Sequence, residues 1–286
     1  MITVNEKGVT NALSFDVEEW FVNTNLEGQV QRSQWDNYES RIEKSTALIL
    51  SLLEEKKVLA TFFVLGWVAQ RYPGLVKEIA KHGHEIATHG WSHKLIYNQN
   101  PGEFEDELKR SIELLEDLSG GKILGHRAAC LSITAKSQWA IDILINNGIA
   151  YDSSIYPILH DRYGMVGAPR LPYILRKNGQ KEIWEFPMAT FRFSKLNIPM
   201  AGGGYFRLYP YMLTSFLMRR LNESGGPVMV YLHPPEFDPG QPRLKIGLKN
   251  KFRAYVGLEN NFSKLKRLLE DFKFAPVRDV LKQFQA

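Results

Sequence analysis

Val58–Leu65 reads VLATFFVL, an uncharged run rich in β-branched and aromatic side chains. That is the composition of a buried strand. Helical patterns flank it on both sides. Upstream, Ser40–Glu55 sets Ile42, Leu48, Ile49, Leu52 and Leu53 at helical spacing; downstream, Pro73–His82 opens on a proline and is followed by Gly83. The alternation continues along the chain. Strands are predicted at Asn11–Phe15, Glu85–Thr88, Lys122–His126, Glu182–Phe186 and Val228–Leu232, and helices at Pro101–Leu118, Thr134–Asn147, Tyr211–Asn222, Phe262–Phe272 and Val277–Phe284. Repeated βα units imply a parallel sheet covered by helices, open or closed as a barrel, with chemistry gathered where strands end at their C-terminal edges.

Composition agrees with an α/β globular protein. Of 286 residues 44% are hydrophobic and 23% charged, which supports a sizeable core and excludes general disorder. The net charge of +5 is concentrated late, in Arg219 and Arg220, Lys245 to Arg253 and Lys264 to Arg267. Such a surface is either plainly solvated or suited to an acidic glycan or lipid-linked substrate. No nucleic-acid module accompanies it. The lone Cys130 excludes an intramolecular disulfide, and the N-terminus lacks the basic and apolar pattern of a signal peptide. No run approaches the length of a membrane-spanning helix, so the expectation is a soluble cytoplasmic protein. The oligomeric state is not legible.

Ionisable groups stand where the strand-like runs stop. Asp16 and Glu18 follow the first, His89 the third, Arg127 the fourth and His233 the last. In Thr88–His93 (THGWSH), two histidines four residues apart can lie on one face of a turn and bind one divalent ion; the plainer reading is a pair of loop histidines. Adding a carboxylate from Asp16–Glu18 gives two nitrogens and one oxygen, leaving positions open for water, as a hydrolytic centre needs. His233, stiffened by Pro234 and Pro235, can give a proton near neutral pH or simply cap the surface. Arg127 can pair with Asp16 and keep it ionised, or form a structural salt bridge. His82 and His84 read as structural.

The segments SFDVEEWF, TFFVLG, HEIATHGWSH, GHRAACLSI, YDSSIYP, EFP, GGGYFRLYP, YLHPPEFDPGQPR and LLEDFKFAPVRDVL, in this order from Ser14 to Leu281, resemble the polysaccharide deacetylases (NodB homology, carbohydrate esterase family 4). The likeness is closest to the branch associated with exosortase and exopolysaccharide gene clusters. It implies a distorted (β/α) barrel with fewer than eight regular units, spanning 1–286 as one catalytic domain with a family-specific segment from about 235. It also implies a hydrolase that removes an N-acetyl group from an amino sugar of a polysaccharide or lipid-linked precursor, using one divalent ion, zinc first, with cobalt, nickel or manganese as alternatives. Under the resemblance, Asp16 matches the general base, Glu18, His89 and His93 the metal ligands, Arg127 the residue bracing the base, and His233 the general acid. Asp152 is expected to orient a catalytic side chain.

The chain departs from the family pattern at Arg127–Leu131 (RAACL), where a proline and an aromatic are usual, at Gly90 in place of Ser or Thr, and at Glu18 in place of aspartate. A backbone N–H near Leu131 is expected to face the oxyanion, and Gly202–Arg207 to form a loop over the site, with Tyr205 and Trp91 offering aromatic faces to a sugar. Two rival readings stand beside this one. The first is an amidase for small cyclic or linear amides on the same scaffold, and the second a glycan-binding pseudoenzyme.

Overall fold

The computed structural model describes residues 8–160, 162–200 and 202–285. Its strands are β1 (Thr10–Val17), β2 (Thr61–Val64), β3 (Glu85–Thr88), β4 (Gly125–His126), β5 (Tyr151–Asp152), β6 (Tyr173–Asn178), β7 (Lys181–Glu185), β8 (Thr190–Phe193), β9 (Leu196–Pro199), β10 (Met229–Leu232) and β11 (Lys273–Ala275). Seven pair in parallel in the order β10-β1-β2-β3-β4-β5-β7, with β6 antiparallel on β7 and β11 alongside the start of β1. Among the described residues no ladder joins β10 to the β7–β6 end; a single bridge from Gly202 to Tyr231 reaches β10 instead. The result is the distorted β/α barrel with fewer than eight regular units that the resemblance implied.

The period of two along each strand divides its side chains between two cores. In β1, Leu13, Phe15 and Val17 join the outer core beneath the helices, while Ala12 belongs to a separate inner cluster with Phe63, Ala87, Tyr151, Trp184, Met229 and Tyr231. Burial of each such large side chain contributes roughly 1.5–3 kcal/mol. Both faces of the strands are buried, which is why VLATFFVL shows no polar alternation. The helix Val277–Gln285 plugs the bottom: the Val277 N–H donates to Thr61 Oγ1 (2.8 Å) and the Arg278 N–H to Glu85 Oε2 (3.2 Å), at the first residues of β2 and β3.

Local signals set several boundaries. The helix Pro101–Ser119 begins with a reciprocal cap, Asn100 Oδ1 accepting from the Glu103 N–H and Glu103 Oε2 from the Asn100 N–H, and stops at left-handed Gly120. The helix expected from Thr134 begins only at Trp139, because Ser137 Oγ accepts from the Thr134 N–H and ties 134–137 into a turn. The strand expected over 122–126 pairs only at Gly125 and His126, where a Cβ on Gly125 would meet the Tyr151 ring at 2.2 Å. Gly202–Arg207, expected as a loop, falls largely within a short helix, Gly203–Leu208. No helix among the described residues is long and apolar enough to cross a membrane.

His84 is buried against the Phe62 ring, and its Nδ1 accepts from the Ala60 N–H (3.3 Å). Burial, reinforced by His82, pushes its pKa down from 6.5 to about 4. The unfolded chain therefore takes up the extra proton. Stability should be complete above pH 6.5 and lost as pH falls towards 4, by up to about 3 kcal/mol from this group. His84→Gln should flatten that decline in melting temperature; an unchanged slope would contradict the assignment.

Candidate active site

At the C-terminal end of the barrel, the last inward position of β1 is Asp16. Its Oδ1 accepts from Arg127 Nη1 at 2.6 Å. Arg127 has no exposed surface, and its remaining donors are also matched: Nε to Ser153 O (3.0 Å), Nη1 to Ser14 Oγ (2.8 Å), and Nη2 to Ser153 Oγ (3.0 Å) and the Met229 sulfur (3.4 Å). The guanidinium also lies 4.0 Å from the Phe63 ring centroid. Strand ends from across the barrel thus converge on one cation, the arrangement that makes a buried charge tolerable.

Beside Asp16, one donor atom each from Glu18, His89 and His93 lies within 4.8 Å of the others, all three residues buried. His93 Nε2 is 2.8 Å and His89 Nε2 3.6 Å from Glu18 Oε2. Even so, Glu18 Oε2 has no aligned hydrogen-bond partner. His89 Nδ1 sits 2.8 Å from the Arg127 carbonyl, so it carries the proton and leaves Nε2 a lone pair facing Glu18. Burial alone would raise the Glu18 carboxyl; positive charge on His93, the closeness of both imidazoles and the charge of His233 hold it well below the usual range. An orphaned carboxylate oxygen, two imidazole nitrogens and a preference for nearby positive charge are the donor set a divalent cation fits. Glu19 is spent elsewhere, accepting from the Ser40 hydroxyl and the Arg41 N–H.

Opposite stands His233, directly after β10, its Nε2 3.7 Å from Asp16 Oδ2 and 3.9 Å from Glu18 Oε1. Its Nδ1 is 3.3 Å from Glu236 Oε1, which also accepts from Arg207 Nε at 3.2 Å. Burial pulls the imidazolium down, but Glu236, then Glu18 and Asp16, push its pKa up to about 9. Glu236 and Arg207 are site residues that the sequence reading missed. The signal was present: His233-Pro-Pro-Glu236 has capping-box spacing, and Glu236 Oε2 accepts from the His233 N–H.

Three expectations need correction. Asp152 lies behind the site, its Oδ1 taken by His126 Nδ1 (2.6 Å) and the Ser154 hydroxyl (2.8 Å); Ser154 Oγ in turn accepts from the Ala128 N–H, so Asp152 supports the turn after Arg127 from below. Trp91 does not line the cavity: its ring packs on Gly66 and carries Arg110 stacked at 3.6 Å. Leu131 does line the cavity, but its N–H is already donated to Ala128 O (2.9 Å). Cys130 and Leu131, in the turn that lacks the family proline, are both left-handed, with φ of 50° and 54°. Tyr205 lines the cavity from the short helix, and a Cβ on Gly202 would meet the Tyr231 ring at 2.0 Å, which accounts for a glycine there.

The cavity above these groups measures about 680 Å³. Comparison with known proteins now bears on it. Residues 30–144 match the polysaccharide deacetylase family, and residues 153–282 match a domain of unknown function, DUF3473. Over residues 30–144, then, the chain is similar to the polysaccharide deacetylases. The first match contains His89, His93 and Arg127, the second Tyr205 and His233. A peptidoglycan-N-acetylglucosamine deacetylase of Bacillus cereus is 30% identical over 130 residues, covering 41% of this chain and 47% of the relative, so the likeness spans less than half of that protein. By fold, the chain is similar to a protein of Mycobacterium smegmatis assigned as a polysaccharide deacetylase (20% identity, TM-score 0.65, covering 98% and 92%). It is also similar to the PuuE allantoinase (16% identity, TM-score 0.60, covering 98% and 91%).

Arg127→Met would leave Asp16 buried without its cation and should cost about 3–5 kcal/mol in urea unfolding, with part recovered by adding Asp16→Asn. A loss below about 1 kcal/mol would mean the pair is as weak as a surface bridge.

Proposed function

We propose that the chain hydrolyses the N-acetyl amide of an amino sugar within a glycan, releasing acetate and a free amine. The observation that carries this reading is the facing pair Asp16 and His233, 3.7 Å apart beside a Glu18–His89–His93 cluster on the floor of one cavity. Glu18, His89 and His93 would hold a divalent ion, for which zinc suits the donor set, and such an ion supplies Lewis acidity towards a carbonyl and towards water. The likeness of residues 30–144 to the polysaccharide deacetylases supports the same chemistry.

The protein's own groups then have distinct tasks. Arg127 holds Asp16 Oδ1, leaving Oδ2 to take a proton from the attacking water. The water oxygen bonds to the acetyl carbon. Glu236 fixes His233 through Nδ1, turning Nε2–H towards the site, where it delivers a proton to the departing nitrogen as the C–N bond breaks. Without that proton the leaving group would be an amide anion. Glycan is favoured over a small cyclic amide because the cavity is far larger than such a ring and has Tyr205 on its wall. The segment beyond 235 is read as part of this same unit, since Glu236 completes the acid.

Asp16→Asn and His233→Ala should each lower acetate release at least about 100-fold while retaining fold and ion binding. Because the acid must be protonated, activity should fall as pH rises, with a limb at or below about 9, since any bound cation pushes His233 downward. Near-normal turnover by either variant, or an alkaline limb that survives in the residual activity of His233→Ala, would overturn the roles given.

A further inference from the structure

Two stretches that contribute to the rim of the cavity contain no carboxylate. Residues 186–222 carry Arg192 and Lys195 on the exposed hairpin, apart from a buried Arg207 and from Arg219 and Arg220, which pair with Asp271 and Glu223; residues 239–258 carry Arg243, Lys245, Lys249, Lys251 and Arg253. Large apolar side chains are exposed among these cations. Leu248 and Phe252 are 86% and 54% exposed, and both line the cavity together with Lys249. They lie four residues apart on one side of the helix Leu248–Tyr255, whose Ala254 and Tyr255 are the buried residues. Leu208, also lining the cavity, and Met212 and Leu213 just beyond it are exposed too. The hairpin β8–β9, which follows the C-terminal end of β7, exposes Phe193 and Leu196 beside Arg192 and Lys195.

We infer that this rim docks on the surface of an anionic lipid bilayer, bringing the cavity mouth to the membrane. Single exposed apolar residues are ordinary, but a set of them interleaved with cations, on stretches that contain no carboxylate, marks an interaction face. A soluble polyanion would engage the lysines and arginines and leave Leu248 and Phe252 in water. An apolar protein surface would cover the leucines and strand the cations. A bilayer accommodates both: apolar tips enter the headgroup–acyl boundary while cations remain among anionic headgroups. This is peripheral contact, in keeping with the lack of any spanning helix among the described residues. The docking rests on the proposed hydrolysis only for its use to the cell. Binding to vesicles requires no turnover, so either reading can fail alone.

Sedimentation of the full chain with vesicles tests it. Vesicles of equimolar phosphatidylcholine and phosphatidylglycerol should bind the protein at least about tenfold more tightly than phosphatidylcholine alone, and added salt should weaken that binding. Leu248→Ser combined with Phe252→Ser should reduce binding by about tenfold or more, with an unchanged circular dichroism spectrum. Lys249→Glu with Lys251→Glu should do the same by charge. Absence of vesicle binding, or equal binding to neutral vesicles, overturns the proposal. So does vesicle binding that resists the serine pair while dextran sulfate competes it away, a result that would assign the surface to a soluble polyanion.

Discussion

A guanidinium with no exposed surface must be satisfied entirely by the protein around it, and Arg127 imposes that demand on the whole barrel. Its N–H groups meet Ser14 and Asp16 from β1, Ser153 after β5 and Met229 from β10, while Phe63 of β2 covers its face. Removing such a cation from water costs several kcal/mol, offset only when every partner is present. A one-residue slip of β1 would turn Ser14 and Asp16 outward and present Leu13 and Phe15 to the charge. The register of the sheet and the position of the base are therefore one constraint.

The remaining groups hang from the same frame. The Arg127 carbonyl accepts from His89 Nδ1, so the residue that braces Asp16 also orients an imidazole of the neighbouring cluster. On the far side, His233 is held by Glu236, and Glu236 by Arg207, which donates in turn to the carbonyls of Arg253, Ala254 and Val256. The site thus has two supports. One belongs to the barrel, and the other ties the segment after β10 to the short helix Gly203–Leu208.

The barrel half was the more legible in the sequence, for a physical reason. VLATFFVL, Glu85–Thr88 and Val228–Leu232 are buried on both faces and announce themselves by composition, and the ionisable residues after them stand where a parallel strand must stop. Asp16, Glu18, His89, Arg127 and His233 could be placed by that rule, and His93 by its spacing from His89. Long-range partners could not. Whether Asp152 faces the site or His126 depends on where β4 and β5 cross, and whether Trp91 meets sugar or Arg110 depends on a helix distant in sequence. The second half yielded less. The hairpin β8–β9 and the helix Leu248–Tyr255 keep apolar residues exposed, so their hydrophobic pattern does not report a core face.

The central claim is that these groups cleave an N-acetyl amide, and product stoichiometry tests it most directly. The protein, stripped by chelator and then reloaded with zinc, is incubated with a panel of N-acetylated oligosaccharides while acetate and free amine are both quantified. The account predicts equal amounts of the two products from at least one glycan, and none from the stripped protein. Absence of both products from every glycan, with one ion bound per chain, would contradict it.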